Sequence, residues 1–496
     1  MKRGWWVAGL WLYSALVAAT PVPLSLPAPD VAAVLEADRR PAGVPRPYRF
    51  AVTQPGFSMP LLAADGRIGA ASDGSQHETL PDGRRRHLWA LQSRDALNLN
   101  FHFAPYRMPA GGSLRILDGT GQALLGPYTE AHNTGGALWT PLAATDTVQI
   151  ELILPAGSEA GEISLAGLQH GFRSLGDKQE GVPAKSGSCN IDVVCPAGDD
   201  WRQQIRSVAR YTISGQFLCS GQMLNNTRRD LSPYFLTASH CLSTTAEAQT
   251  VVLYWNYQTS VCGGTPNGSL RQTSQGAVVA ASSGSGTDVG SDFTLLRLNE
   301  VPPLSYGVYY AGWDNRDLAP FGVTGIHHPA GDEKRISFSF RQTEITAYGQ
   351  SAGSPASQLS RSHLRIPRWD QGTTEGGSSG SAIFNSSKRV VGQLSGGLAS
   401  CDNPTGADWY GRMYSNWFDL PSPGTSVAPW LDPDGTGVAT LDGVDSLDFN
   451  APPPPSSAQT PRSGGGGGAG LAWLLWVAVL RQVSIRYLRS SPRSWW

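Results

Sequence analysis

Along two long stretches of the chain, apolar positions recur with period two. Leu97, Leu99, Phe101 and Phe103 alternate with Asn98, Asn100 and His102, while Val148, Ile150, Leu152 and Leu154 alternate with Gln149, Glu151 and Ile153. Each stretch predicts a strand with one buried face. Turn clusters at 110–112 and 118–121 separate such runs, so a small β-sandwich is expected over about residues 85–172. The segment 20–95 ahead of it reads as irregular and Pro-rich. From Cys189 to about residue 448 the pattern is a series of short apolar runs, at Tyr234–Ala238, 251–255, Phe293–Leu298 and 390–394. These predict many short strands. A region of that length suffices for two small barrels, and the fold class expected for the whole is all-β.

Composition narrows the picture. The 496 residues exceed what one hydrophobic core usually holds, so several domains and processing segments are expected. A net charge of -1 with 16% charged residues leaves no basic footprint for nucleic acid. Gly (58), Pro (36) and Trp (16) are abundant, which suits short strands joined by turns.

Both ends carry processing patterns. Lys2 and Arg3 followed by an apolar run to Ala19 form a secretory signal peptide over residues 1–19, so the chain is expected to be secreted or held at the cell surface. All six cysteines lie between Cys189 and Cys401, and an even count in an exported chain reads as three bridges, with fifteen pairings open. Residues 449–470 are a Pro/Gly-rich linker unable to bury a core. The tail at 471–496 is an apolar stretch followed by Arg481, Arg486, Arg489 and Arg493. A glycine run, an apolar stretch and then positive charge resemble the GlyGly-CTERM sorting tails of exported bacterial proteins. That resemblance implies a membrane-embedded sorting protease as a partner.

A serine hydroxyl needs a base within hydrogen-bond reach to act as a nucleophile. His240 follows an apolar strand and precedes Cys241, which suits a clamped general base. The run Gly376-Gly377-Ser378-Ser379-Gly380-Ser381 is a turn whose small residues let backbone N–H groups converge on one point, as an oxyanion hole requires. No histidine follows Ser379, which excludes the order Ser, acid, His for this serine, and Ser381 breaks the G-x-S-x-G elbow. The order His, Asp, Ser remains, with Asp292 at the head of an apolar strand as the acid; Asp288 competes but sits among Gly and Ser. His327 and His328 adjoin on a predicted strand, point to opposite faces and have no partner ligands, so neither a metal nor another cofactor is expected.

Eight separate blocks between residues 186 and 448 are similar to the bacterial lysyl endopeptidases. They are 188–195, Tyr234–Ala238 with His240 and Cys241, 254–258, 291–296, 311–314, 326–329, 377–381 and 430–433. The resemblance implies a chymotrypsin-like double β-barrel with His240 as base, Asp292 orienting it and Ser379 as nucleophile. It also implies an oxyanion hole from the N–H groups of Gly377 and Ser379. The pairings implied are Cys189 with Cys401, Cys195 with Cys262, and Cys219 with Cys241.

Specificity follows from the same comparison. An anion at Asp408 is implied at the base of the primary pocket, where a substrate Lys or Arg would supply the missing cation. A stacked His and Trp of the lysine-selective members correspond here to Ser395 and Tyr348. The edge at Ser395, Gly396 and Gly397 offers a strand for a peptide to pair with. Cleavage after Lys185 would release a domain of residues 186–448. Trypsin-type zymogens pair the new N-terminus with an Asp before the nucleophile, and Ser378 occupies that position here. Residues 20–185 are therefore expected to be a pro-region that assists folding and holds the enzyme inactive. The function expected is hydrolysis after Lys, with Arg a second candidate, through an acyl-enzyme. The alternatives are an inactive homologue serving as a surface binding module, or an altered pocket that cuts after other residues.

Overall fold

The computed structural model describes residues 21–39, 44–69, 75–157, 161–175, 186–284, 290–351, 361–419 and 424–449. The signal segment, Lys185, Asp288 and everything from residue 450 onward lie outside them.

Two sheets come first. One runs in the order Leu24–Leu26, Arg85–Ser93, Thr147–Leu154, Ser113–Leu117, Ala123–Tyr128, with Gln76–Thr79 also pairing to Arg85–Ser93. The other runs Leu138–Trp139, Asn98–Arg107, Glu162–Gly171, Ala51–Thr53, with Met59–Leu62 also on Glu162–Gly171. Leu99, Phe101 and Phe103 from one sheet share a core with Val148, Ile150 and Leu152 from the other. The alternating runs therefore form the sandwich expected of them.

Two expectations are corrected. Residues 20–95 are not irregular, because Leu24–Leu26, Ala51–Thr53, Met59–Leu62 and Gln76–Thr79 join the two sheets. Pairing to a long neighbour lets a strand of three or four residues form without a periodic pattern of its own. Nor does each long strand bury only one face, since Asn98, Asn100, Gln149 and Glu151 are buried too. Asn100 donates to the Gly215 carbonyl of the next region at 3.1 Å, and Glu151 accepts from Arg86 at 2.7 Å and Arg115 at 3.3 Å. The polar face is covered because protein, not water, satisfies it.

The cysteine-bearing region forms two curled sheets. The first runs Thr273–Gln275, Val252–Tyr254, Val208–Ile213, Phe217–Leu224, Tyr234–Ala238, Phe293–Leu298, Ala277–Ser282. The second contains Phe321–His327, Arg335–Gln342, His363–Ile366, Ala382–Phe384, Val390–Gly397 and Asp408–Arg412. Tyr211, Phe235, Leu253, Trp255 and Leu296 fill the first. Leu364, Ile366, Ile383, Leu394 and Tyr410 fill the second. Between them lies a shared core that includes Leu236, Phe293, Leu295, Ile326, Phe338 and Phe384. Burying alternate faces of the same strands on both sides locks the two sheets together, and the cleft at their junction inherits that rigidity. The architecture is the all-β double barrel of the chymotrypsin-like enzymes.

Candidate active site

The first sheet supplies an imidazole and a carboxylate. Strand Tyr234–Ala238 pairs along its whole length with Phe293–Leu298, setting Ala238 opposite Phe293. The residues just past these ends, His240 and Asp292, are therefore brought together. The Asp292 carboxylate accepts from His240 Nδ1 at 2.7 Å, from the His240 N–H at 2.9 Å and from the Ser239 hydroxyl at 2.7 Å. Its backbone has φ of 55°, a left-handed conformation that Asp tolerates better than most residues. Burial alone would raise the Asp292 carboxyl; the His240 ring, the Ser239 hydroxyl and the His240 N–H outweigh it and hold it below its ordinary value. A bridge between Cys219 and Cys241 clamps the loop from the other side. The other two bridges join Cys189 to Cys401 and Cys195 to Cys262.

The second sheet supplies the serine loop. The Ser379 carbonyl accepts from the Ser220 N–H at 2.8 Å, while the Gly377 carbonyl accepts from the Ser220 hydroxyl at 2.8 Å. Both bonds dock the loop against strand Phe217–Leu224. Gly380, at φ of 80°, leaves no room for a side chain, because a Cβ would run into Thr237, Ser220 and the Ala238 N–H. That close approach brings Ser379 alongside the strand that ends two residues before His240.

Within the loop, hydrogen bonding is uneven. Ser378 N–H donates to Glu375, Gly380 N–H to Leu394 and Ser381 N–H to Ser378. Among the bonds of the described residues, the N–H groups of Gly377 and Ser379 meet no acceptor. Two free donors, one of them the N–H of Ser379 itself, are what a developing oxyanion needs. The Ser379 hydroxyl likewise has no partner among the described residues, and nucleophile-to-base bonds in empty sites commonly tighten only when substrate arrives. Ser378 is buried against His327, whose Nδ1 lies 2.8 Å from its hydroxyl.

Asp408 opens strand Asp408–Arg412 and pairs with Gly397, while Gly396 pairs with Trp409. It is wholly buried, and its carboxylate accepts from Trp369 Nε1 and the Thr374 hydroxyl, each at 2.7 Å, and from the Ala399 N–H at 3.4 Å. No cation approaches it among the described residues. Burial pushes its pKa up to about 6 against those three donors. Ser395 and Tyr348 do not stack on each other. Instead His363 stands between them, 3.1 Å from the Ser395 hydroxyl and with its ring centroid 5.6 Å from that of Tyr348. Burial keeps this imidazole neutral, with its pKa lowered to about 4.

Several supporting residues are absent from the sequence-based candidates. Ser239, next to His240, is the one that proximity in the chain would have flagged. Gln393 Nε2 donates to the Ser291 and Asp292 carbonyls at 2.7 and 3.4 Å, and its amide oxygen accepts from Asn416 at 2.8 Å. The second sheet thus holds the loop that carries Asp292 in the first. His363 likewise comes from a distant strand, and Trp369 and Thr374 from the loop that follows it.

The residue after Lys185 is visible. Ser186 is buried, donating to Asp332 at 2.6 Å, and the Gly187 N–H donates to Glu375 at 2.9 Å. As for metal ligation, the sulfurs nearest His240 are joined in a bridge and offer no thiolate.

Residues 183–411 match the model of the lysyl endopeptidase C-terminal domain. Over 354 residues the chain is 30% identical to the lysyl endopeptidase of Pseudomonas aeruginosa, a match spanning 66% of this chain and 71% of that one. The chain belongs to the lysyl endopeptidase family. It is accordingly a serine endopeptidase acting on proteins or peptides. Solved structures similar to it include a Glu endopeptidase in complex with MPD, at 16% identity and a TM-score of 0.28 over 46% of this chain and 93% of that one. Another is the thermostable serine protease AL20 from an extremophilic microorganism, at 14% identity and a TM-score of 0.31 over 42% and 92%. Likenesses this remote add nothing to the assignment.

Proposed function

We propose that this family member is secreted and hydrolyses peptide bonds after Lys, with Arg also admitted, through an acyl-enzyme. Ser379 Oγ attacks the scissile carbonyl carbon while His240 Nε2 takes its proton. Asp292 accepts the Nδ1–H bond, fixes the tautomer and stabilises the imidazolium. The carbonyl oxygen, now negative, is received by the Gly377 and Ser379 N–H groups. His240 then protonates the leaving nitrogen. A water deprotonated by the same imidazole attacks the ester, and Ser379 recovers its proton.

The observation that carries the specificity is the Asp408 carboxylate, buried and served only by neutral donors. A charge in that state is completed by a cation from outside, and a basic substrate side chain is such a cation. His363, buried between Tyr348 and Ser395, bears on the choice of Lys over Arg by holding those two side chains in place. In this reading residues 1–19 are removed on export and 20–185 act as pro-region. Cleavage after Lys185 frees the domain 186–448, and the linker 449–470 presents the tail 471–496 to a sorting protease.

The test is to digest a protein of known sequence with the secreted enzyme and with its Ser379→Ala variant, identifying new termini by mass spectrometry. Termini after Lys and Arg from the first and none from the second are expected. Scattered non-basic sites would overturn the pocket, and no cuts at all would overturn the enzyme.

A further inference from the structure

The segment 44–49, far upstream of the catalytic region, runs across it. Strand Tyr48–Arg49 pairs antiparallel with the start of Phe217–Leu224, setting Tyr48 opposite Leu218 and Arg49 opposite Phe217. Leu218 directly precedes Cys219, whose bridge reaches Cys241 beside His240. The Tyr48 ring crowds Gly376 at the head of the nucleophile's loop, so that a Cβ there would lie 2.8 Å from its Cδ2. Three residues earlier, Pro45 lies within contact of the other side, its Cγ 3.7 Å from a Cβ built on Gly396. The chain thus passes from the 395–397 edge, past the loop of Ser379, to the strand beside the His240 clamp. Only Arg46 and Pro47 span the distance between those contacts.

We propose that residues 45–49 lie across the cleft as an uncleaved strap, with the Arg46–Pro47 bond facing the nucleophile's loop and the Arg46 carbonyl held out of the oxyanion hole, whose Gly377 and Ser379 N–H groups it does not meet. This rests on Ser379 being the nucleophile, and it names the segment through which the pro-region blocks the site. The same register assigns a subsite: the second residue after that bond is Tyr48, so the surface made by Leu218 and Gly376 takes an aromatic side chain there.

Two features keep the bond intact. Pro47 makes it a tertiary amide, with a ring carbon where an N–H would be, and its ring also restricts the backbone of Arg46. In addition, the exposed Arg46 side chain donates to the Asp38 carbonyl instead of reaching Asp408. The rest of the strap is firmly held. The Arg173 guanidinium covers the Tyr48 ring at 4.5 Å and donates to its hydroxyl. Arg49 pairs with Asp38 and lies 4.1 Å over the Phe217 ring, while the Phe50 N–H donates to the Gln216 carbonyl at 2.9 Å. Phe50 is buried in a cluster with Leu175 of the pro-region and with Leu218 and Tyr254 of the barrel. These contacts belong to the uncut chain and leave with the pro-region.

The test uses the full chain carrying Lys185→Gln, so that the pro-region stays attached, and a fluorophosphonate probe that labels the nucleophilic serine. Tyr48→Ala is expected to speed labelling of Ser379 at least tenfold. Pro45→Gly, which removes no core side chain, should speed it several-fold. Pro47→Ala is expected to produce a chain break after Arg46 that disappears when Ser379→Ala is added. Labelling as slow in both loosened chains as in the parent overturns the strap. An intact Pro47→Ala chain overturns its substrate register. Failure of Ser379 to label even in the chain cut after residue 185 instead overturns the nucleophile on which the proposal rests.

Discussion

Asp292 and Asp408 are both buried carboxylates at the catalytic cleft, one from each barrel, yet burial leaves them with opposite tendencies. Asp292 is held below its ordinary pKa, whereas Asp408 is raised to about 6. The difference lies in who completes the charge. Asp292 has an imidazole, a hydroxyl and an N–H within 2.9 Å, all from one loop. Asp408 has an indole, a hydroxyl and a more distant N–H, and no cation. In the mechanism proposed above, one carboxylate is finished by the protein and serves every turnover, and the other is left for a basic substrate to finish and selects which turnovers occur.

That division is broken most severely at Asp292. Asn tolerates the left-handed backbone at this position, so Asp292→Asn should fold while favouring the wrong imidazole tautomer. A loss of about 10⁴ in kcat with little change in KM is expected in steady-state assays of a lysyl ester. A rise in KM at constant kcat would show that the two carboxylates do not divide their labour in this way.

Asp408→Asn is the reciprocal case. It should lower kcat/KM for Lys substrates by about 10² to 10³, the cost of leaving the incoming cation without its counter-charge. Substrates with a neutral side chain at the same position should be unaffected or improve. Measuring both on one variant separates loss of recognition from loss of chemistry.

A subtler effect appears in the pH dependence of the intact enzyme. Asp408 carries its charge above about pH 6 and loses it below. Because kcat/KM reports the free enzyme, the ratio of its values for Lys and neutral substrates should be flat above that pH. Below it the ratio should fall roughly tenfold per unit, since only the charged carboxylate attracts the cation. Taking the ratio cancels groups that both substrates use. A ratio constant down to pH 4.5 would remove Asp408 from recognition.

The sequence made some of this arrangement readable and hid the rest for physical reasons. His240, Asp292 and Ser379 stand at the ends of strong apolar runs or in a glycine turn, where local pattern and chemistry coincide. Both strands of the His240 and Asp292 pair are continuous five- and six-residue blocks. Leu24–Leu26 and Ala51–Thr53 were illegible because three-residue strands exist only through their partners. Asn98 and Asn100 read as a solvent face, and the groups that meet them come from far along the chain, the Arg173 carbonyl for Asn98 and the Gly215 carbonyl for Asn100. The donors to Asp408 sit nine to 39 positions away along the chain, and the His363 ring beside Ser395 is 32 away. Nothing in the spacing of such residues marks them as neighbours.

The smallest expected effect concerns the link between the two barrels. Gln393 reaches Asp292 only through the backbone, by donating to the carbonyls of Ser291 and Asp292, and Asn416 fixes its amide. Gln393→Met removes that bridge while filling most of the volume. It leaves the Ser291 carbonyl and the Asn416 amide unpaired in a buried setting, which costs about 1 to 3 kcal/mol. The Asp292 carboxylate keeps its three direct donors, so catalysis should suffer far less than in Asp292→Asn. A three- to tenfold fall in kcat with unchanged KM is expected, with a Tm lowered by several degrees. A merely structural role would lower Tm and leave kcat alone, whereas a fall as deep as that of Asp292→Asn would mean that the loop's position, not its carboxylate, governs the base. Gln393→Glu discriminates further. It keeps the length but replaces the donating amide with acceptors facing two carbonyls, so its kcat should fall below that of the methionine variant.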